Sequence, residues 1–294
     1  MRSGCVVAVA LLCLGCPADD TGAQPSSSGG DGSSTAATSS TTTGAADPTT
    51  GEPAECTALY GRPTAATGLT AEQCGPACPC LDGWVAPTYT DADVIALQAF
   101  ELDVAFPELT EDPYATPDAF PLDASSVCGV LVNGQRYTVA TYDDETAAAD
   151  AGAKVTHDGA CGRCSTLQDL AVYMGNGDLT EPVRTCGVTA LTQGEEANLE
   201  CLLELGFTRP CAQIWLYNTS HTRTECLDEC LAALDEPYHL PDTSLNPCLS
   251  CDEEKSGPVF KAVAGRTRRN TGLASALCRP CDQVRRVEHR YSDD

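Results

Sequence analysis

Val130-Leu-Val-Asn133-Gly134-Gln-Arg-Tyr-Thr-Val139 sets the class of fold. Two runs of β-branched and aromatic residues meet at Asn133-Gly134, a dipeptide suited to the positive backbone angles of a tight turn, so the stretch predicts a β-hairpin. Working outward from it, the chain turns helical. Asp144 to Lys154 (DETAAADAGAK) reads as a short helix stopped by Gly152. Ser165-Thr-Leu-Gln168 has the form of a capping box opening a helix over Leu167 to Met174. Glu195 to Leu205 and Cys211 to Leu234 also read as helices, and in the latter Cys226 and Cys230 share a face at i, i+4. Upstream, Thr90 to Phe100 (TDADVIALQAF) carries a capping Thr and helically spaced Val94, Leu97 and Phe100. No regular strand–helix alternation and no internal repeat is present. The expected fold class is therefore α+β: small, loop-rich and disulfide-stabilised, with short helices and a β-hairpin.

The N-terminus has the parts of an export signal. Arg2 supplies the positive region, Val6 to Leu14 the apolar run, and Gly15-Cys16 the small residue before a cysteine. The run is too short to span a bilayer. Leu12-Cys13-Leu14-Gly15-Cys16 resembles the lipobox of bacterial lipoproteins, although Cys13 stands where that class usually has Leu. The resemblance implies cleavage before Cys16, lipidation of Cys16, and anchoring to a membrane of the bacterial cell envelope, with the outer membrane or cell surface favoured. The alternative is ordinary cleavage near Ala18 and secretion. From Thr21 to about Gly51 the chain is nearly all Ser, Thr, Gly, Ala and Pro. Such a segment buries too little surface to offset chain entropy and reads as a flexible tether. A glycosylated eukaryotic stalk is the rival reading, for which Asn218-Thr219-Ser220 is a formal sequon. No later stretch is apolar enough to span a membrane. The expected layout is a signal peptide over 1–15, a lipid-anchored tether over 16–55, a Pro-rich acidic cysteine module over 56–126 and a cysteine-rich α+β domain over 127–294.

Beyond the signal region lie sixteen cysteines: Cys56, Cys74, Cys78, Cys80, Cys128, Cys161, Cys164, Cys186, Cys201, Cys211, Cys226, Cys230, Cys248, Cys251, Cys278 and Cys281. An even number in an exported chain predicts complete pairing into disulfides. The competing reading is zinc, since Cys248-x2-Cys251 and Cys278-x2-Cys281 have the spacing of zinc knuckles. An oxidising compartment favours bridges, and the four histidines are isolated from one another. No metal and no cofactor is therefore expected.

Chemistry could sit at two places. His157-Asp-Gly-Ala-Cys161-Gly-Arg-Cys164-Ser165 contains a CGRC that resembles the redox motif of thioredoxin-like oxidoreductases. The likeness implies a reactive thiolate at a helix N-terminus, aided by Arg163. The alternatives are a structural bridge at a turn, or a cysteine hydrolase using Cys164, His157 and Asp169 as nucleophile, base and orienting group. The second place is a charge reversal. Residues 17–254 hold 7 basic and 38 acidic side chains, whereas Lys255 to Arg290 holds 9 and 2. Its centre, Lys261-Ala-Val-Ala-Gly265-Arg-Thr-Arg-Arg-Asn-Thr-Gly272, reads as a Gly-bounded loop. Its Lys261, Arg266, Arg268 and Arg269 could grip an anionic polymer or envelope component, or neutralise the acidic remainder of the chain. Glycine spacing rules out a P-loop. A net charge of −25 argues against nucleic acid as a partner. The CGRC–STLQDL and GRTRRN segments together resemble stretches of uncharacterised cysteine-rich secreted proteins, and no activity comes with that resemblance. These features favour a binding or structural protein of the envelope, with a thiol–disulfide oxidoreductase centred on Cys161 and Cys164 as the alternative.

Overall fold

The computed structural model describes residues 56, 58–123 and 125–291. The chain divides into two units, Met1–Thr50 and Gly51–Asp294, and the described residues all belong to the second. The export segment, the Cys16 anchor and the tether lie outside the described residues.

The expected hairpin is the centre of the larger sheet. Among nine described strands, β1 is Leu59–Tyr60, β2 Cys74–Gly75, β3 Ala77–Cys78, β4 Trp84–Val85 and β5 Glu101–Leu102. They are followed by β6 at Val127–Asn133, β7 at Arg136–Tyr142, β8 at Lys154–Asp158 and β9 at Arg279–Pro280. Strands β6 and β7 pair antiparallel from Val127↔Tyr142 to Asn133↔Arg136. Gly134 takes the positive φ of 62° that the first turn position needs. β5 and β8 complete the sheet in the order β5-β7-β6-β8. A small sheet, β2-β1-β9, joins the two ends of the unit.

Helices cover both faces of the main sheet. They are α1 (Asp91–Gln98), α2 (Glu145–Asp150), α3 (Leu167–Gly175), α4 (Thr180–Gln193), α5 (Glu195–Glu204), α6 (Arg209–Glu225), α7 (Leu227–Ala232), α8 (Pro247–Lys255) and α9 (Gly257–Ala264). Helix α2 packs beside Val127 and α3 beside Val130. Thr90 caps α1 in a full capping box with Asp93, and Asp144 caps α2. At α3 the expected box shifts by one residue: Thr166 is the cap and Asp169 its partner. The single helix expected over Cys211 to Leu234 is broken at Cys226 into α6 and α7. Helices α8 and α9 each start with a proline in the first turn, where its missing N–H costs nothing. The Lys261–Ala264 end of the expected Gly-bounded loop is thus the last turn of α9. The core is α3 packed between sheet and helices: Leu167 and Leu170 meet Val130, Tyr137, Leu202, Phe207 and Ile214 in one cluster. The fold is α+β, as the hairpin and helix signals predict.

All sixteen cysteines pair, in eight bridges. Cys56–Cys80, Cys186–Cys201 and Cys128–Cys161 join near neighbours, and Cys164–Cys211 ties α3's leader to α6. Cys226–Cys251 and Cys230–Cys248 clasp α7 to α8. Cys74–Cys278 and Cys78–Cys281 span separations of 204 and 203 residues. Those last two bridges, with β1 pairing β9, make one unit of the two modules expected on either side of residue 126. Asn218 of the formal sequon is buried inside α6, bonded to Tyr114 and Asp252, so it offers no acceptor for a glycan.

Candidate functional site

The CGRC segment is a structural staple. Cys161 bonds Cys128 on β6, and Cys164 bonds Cys211 on α6. The two sulfurs leave the loop in different directions and make no dithiol pair, which removes the geometry a thioredoxin-like centre needs. Cys164 is also unavailable as a hydrolase nucleophile. The zinc knuckles dissolve in the same way, since each of Cys248, Cys251, Cys278 and Cys281 bonds a cysteine outside its own motif. The sulfurs of Cys56, Cys80 and Cys281 do gather within 4.8 Å. They do so because the Cys56–Cys80 and Cys78–Cys281 bridges lie side by side.

His157 is wholly buried. Its Nδ1 donates to the Asp158 carbonyl at 2.8 Å, a group that can only accept. That leaves Nε2 to accept from the Ser165 hydroxyl at 2.7 Å, while Ser165 Oγ accepts from the Gly162 N–H at 2.8 Å. The trio resembles a serine–histidine pair in form, but both residues are 0% exposed, so water and substrate do not reach it. Asp169 sits apart in the first turn of α3, its carboxylate accepting from the Thr166 hydroxyl and from Thr208. The His157–Cys164–Asp169 constellation is not assembled.

What the CGRC loop does is pack on the basic segment. Arg163 and Cys164 donate their N–H groups to the carbonyls of Val263 and Ala264 at 2.9 Å. A side chain at Gly265 would lie 2.4 Å from the Gly162 nitrogen, so only glycine fits there. Arg266 then enters the core, fully buried, with Nε on the Cys164 carbonyl (2.9 Å) and Nη2 on Thr156 Oγ1 (2.8 Å) and the Ser165 carbonyl (3.3 Å). Arg266 is therefore a scaffold residue and no anion reaches it.

Burial among cations makes the neighbouring histidines acid-labile. Desolvation, reinforced by Arg266, pushes His157 well below its ordinary value and His289 down to about 3. Unfolded, each takes a proton near pH 6.5. Their contribution is complete above that pH and is lost as pH falls through the range between the unfolded and folded values. His289 alone should remove about 2 kcal/mol between about pH 7 and about pH 5, with His157 acting in the same direction. Burial raises Asp169 to about 6. It works the opposite way, protonating first in the folded state and returning about 1 kcal/mol over that range. Urea unfolding at the two pH values should show a net loss on acidification, and His289→Gln should shrink it.

The other expected anion ligands, Lys261, Arg268 and Arg269, line a groove of about 390 Å³ between α4, α6, α7, α8, α9 and the segment Thr267–Val284. One wall is apolar: Val188 and Leu191 of α4 with Leu227, Leu231 and Leu234 around α7, all 48–65% exposed. The floor is aromatic, with Tyr173, Trp215 and Phe260. The opposite wall is basic. Glu253 holds Lys261, Arg269 and Arg279 at 3.1, 3.0 and 2.5 Å. These three cations hold its carboxyl at about 2 against the opposing effect of burial. Burial pushes the neighbouring Asp252 up; it accepts from Thr222 and Asn218.

Arg268 is the odd member of this wall. Its Nη1 and Nη2 donate to the carbonyls of Ala274 and Tyr173 at 3.1 and 2.7 Å, and its guanidinium lies 5.9 Å from the centre of the Tyr173 ring. It has no carboxylate partner among the described residues, and its Nε bonds to nothing. Burial brings its pKa down to about 10. Two further buried polar atoms lie on the groove floor, where the Trp215 N–H is aimed at the Tyr173 hydroxyl. Sequence reading found three of the basic residues and missed Tyr173, Trp215, Glu253 and Arg279. The leucines of α7 fall within the helix expected over Cys211 to Leu234, but nothing local says that they stay uncovered.

A protein family described only as being of unknown function (DUF8771) matches residues 195–287, about a third of the chain. That stretch runs from α5 through the basic segment and supplies the groove walls apart from α4. No curated protein and no solved structure matches the chain.

Proposed function

We propose that this chain is a lipid-anchored protein of the bacterial cell envelope that binds a small, largely apolar ligand in the groove between α4, α7 and the basic segment. The observation that carries the reading is the groove itself. In a unit stapled by eight bridges, five large aliphatic side chains stand exposed around one concavity. Small-molecule sites combine such an apolar lining with a few convergent polar groups, in volumes of about 300–1,000 Å³. The eight disulfides support an oxidising, extracytoplasmic location. The lipobox-like ending at Cys16 and the Ser/Thr tether support anchoring there.

Two measurements test the two halves. Cys16→Ser should move the protein from the membrane fraction to the soluble fraction and abolish acylation. A mutant still held in the membrane and a wild type without acyl chains would count against the anchor. For the groove, the neutral fluorophore N-phenylnaphthylamine should bind with one saturable site. Leu191→Glu and Leu231→Glu, both at exposed positions, should weaken that binding at least tenfold without lowering the melting temperature. Undiminished binding by both variants would rule the groove out.

A further inference from the structure

We infer that the groove takes an anionic single-chain amphiphile, with its acidic head at Arg268 and the Lys261–Arg269–Arg279 cluster and its hydrocarbon tail along the exposed leucines of α4 and α7. This rests on the reading of the groove as a ligand site and adds the chemistry of the ligand. Three observations meet here. The first is charge: the chain as a whole is strongly acidic, yet the groove is lined by six cationic side chains and three carboxylates. One of those carboxylates, Glu253, is already shared among three cations.

The second is Arg268. A buried guanidinium is stable only when its charge and its donors are met, and here carbonyls meet two nitrogens while Nε and the net charge are left over. A carboxylate or phosphate in the groove supplies the countercharge. The third is the apolar wall, where Val188, Leu191, Leu227, Leu231 and Leu234 stand 48–65% exposed and offer a hydrocarbon tail its contacts. A small anionic head group with a tail gains from both walls.

The chain has two tryptophans, Trp84 and Trp215. With Trp84→Phe in the full-length Cys16→Ser chain, fluorescence reports on Trp215 alone. Dodecanoate, dodecanol and dodecyltrimethylammonium share one tail and differ in head charge. Titrated near neutral pH, dodecanoate should perturb Trp215 saturably and bind at least tenfold more tightly than dodecanol, with the cationic amphiphile weakest. Lys261→Gln with Arg269→Gln, at partly exposed positions, should erase most of that preference and leave dodecanol binding unchanged. A second variant, Arg268→Met, should do the same wherever it folds. Equal affinities for dodecanoate and dodecanol, or a preference for the cation, would overturn the inference while leaving an apolar ligand site in place. Failure of all three amphiphiles and of the neutral fluorophore would remove the ligand site as well. Self-association through the leucines, unaffected by dodecanoate, would assign the face to a second protein copy and overturn both.

Discussion

Replacing Cys74 and Cys278 with alanine is expected to cost only about 2–3 kcal/mol, whereas removing Cys78–Cys281 as well should cost about 5 kcal/mol more. The asymmetry comes from how the bridges are nested. With Cys78–Cys281 intact, the bridge from Cys74 to Cys278 closes a ring of only about eight residues in the unfolded chain, so deleting it frees little conformational entropy. Once both are gone, a loop of 204 residues opens, and the two edges of the small sheet β2-β1-β9 lose their tie. The pair Cys226–Cys251 and Cys230–Cys248 is nested alike, so single deletions there should be mild and the double deletion severe. Guanidinium unfolding of the single and double variants measures this directly. Additive losses from the two single deletions would contradict the pairing described here. Full reduction should unfold the unit cooperatively while a chelator leaves it unchanged, and recovery of bound zinc would contradict the bridges.

Arg266→Met should destabilise the fold by about 3 kcal/mol or more, the largest effect expected of any single substitution in the basic segment. The guanidinium links β8, the CGRC loop and the start of α3 through Thr156, Cys164 and Ser165. Methionine fills the same space but leaves those carbonyls unpaired where water does not reach, at about 1–3 kcal/mol for each group. Relief of burying one charge offsets part of this, because desolvation alone already lowers the pKa of Arg266. Arg266→Lys should not rescue it, since an ammonium lacks the planar fork that reaches several acceptors at once. Arg269→Gln, by contrast, removes one of three cations around Glu253 and should change stability little. Thermal or urea unfolding of the three variants tests this ordering. A neutral Arg266→Met would show that the network adds nothing to stability.

Residues close in the chain were legible from the sequence wherever the physics is local. The β6–β7 hairpin follows from Gly134, whose positive φ a local turn demands, although the loop is Gly134-Gln135, one residue on, with Asn133 still paired to Arg136. The cap at Thr90 follows because a side-chain oxygen finds an N–H three residues on. Complete pairing of the sixteen cysteines follows from their even number and the export signal. At α3 the same local rule slipped by one residue, since Ser165 was drawn away to His157 and Thr166 took over the cap.

Only the tertiary structure decided the rest. Spacing could not tell whether a CxxC is a dithiol, a knuckle or a staple, because that depends on sulfurs up to 204 residues away. Nor could composition separate Arg266, which is buried as scaffold, from Arg268, two residues on, which lines a groove and is only partly buried. Both carry the same charge in the same short run of sequence. What distinguishes them is the set of partners each meets, Thr156, Cys164 and Ser165 for Arg266 and the groove for Arg268, and those partners come together only in the folded chain.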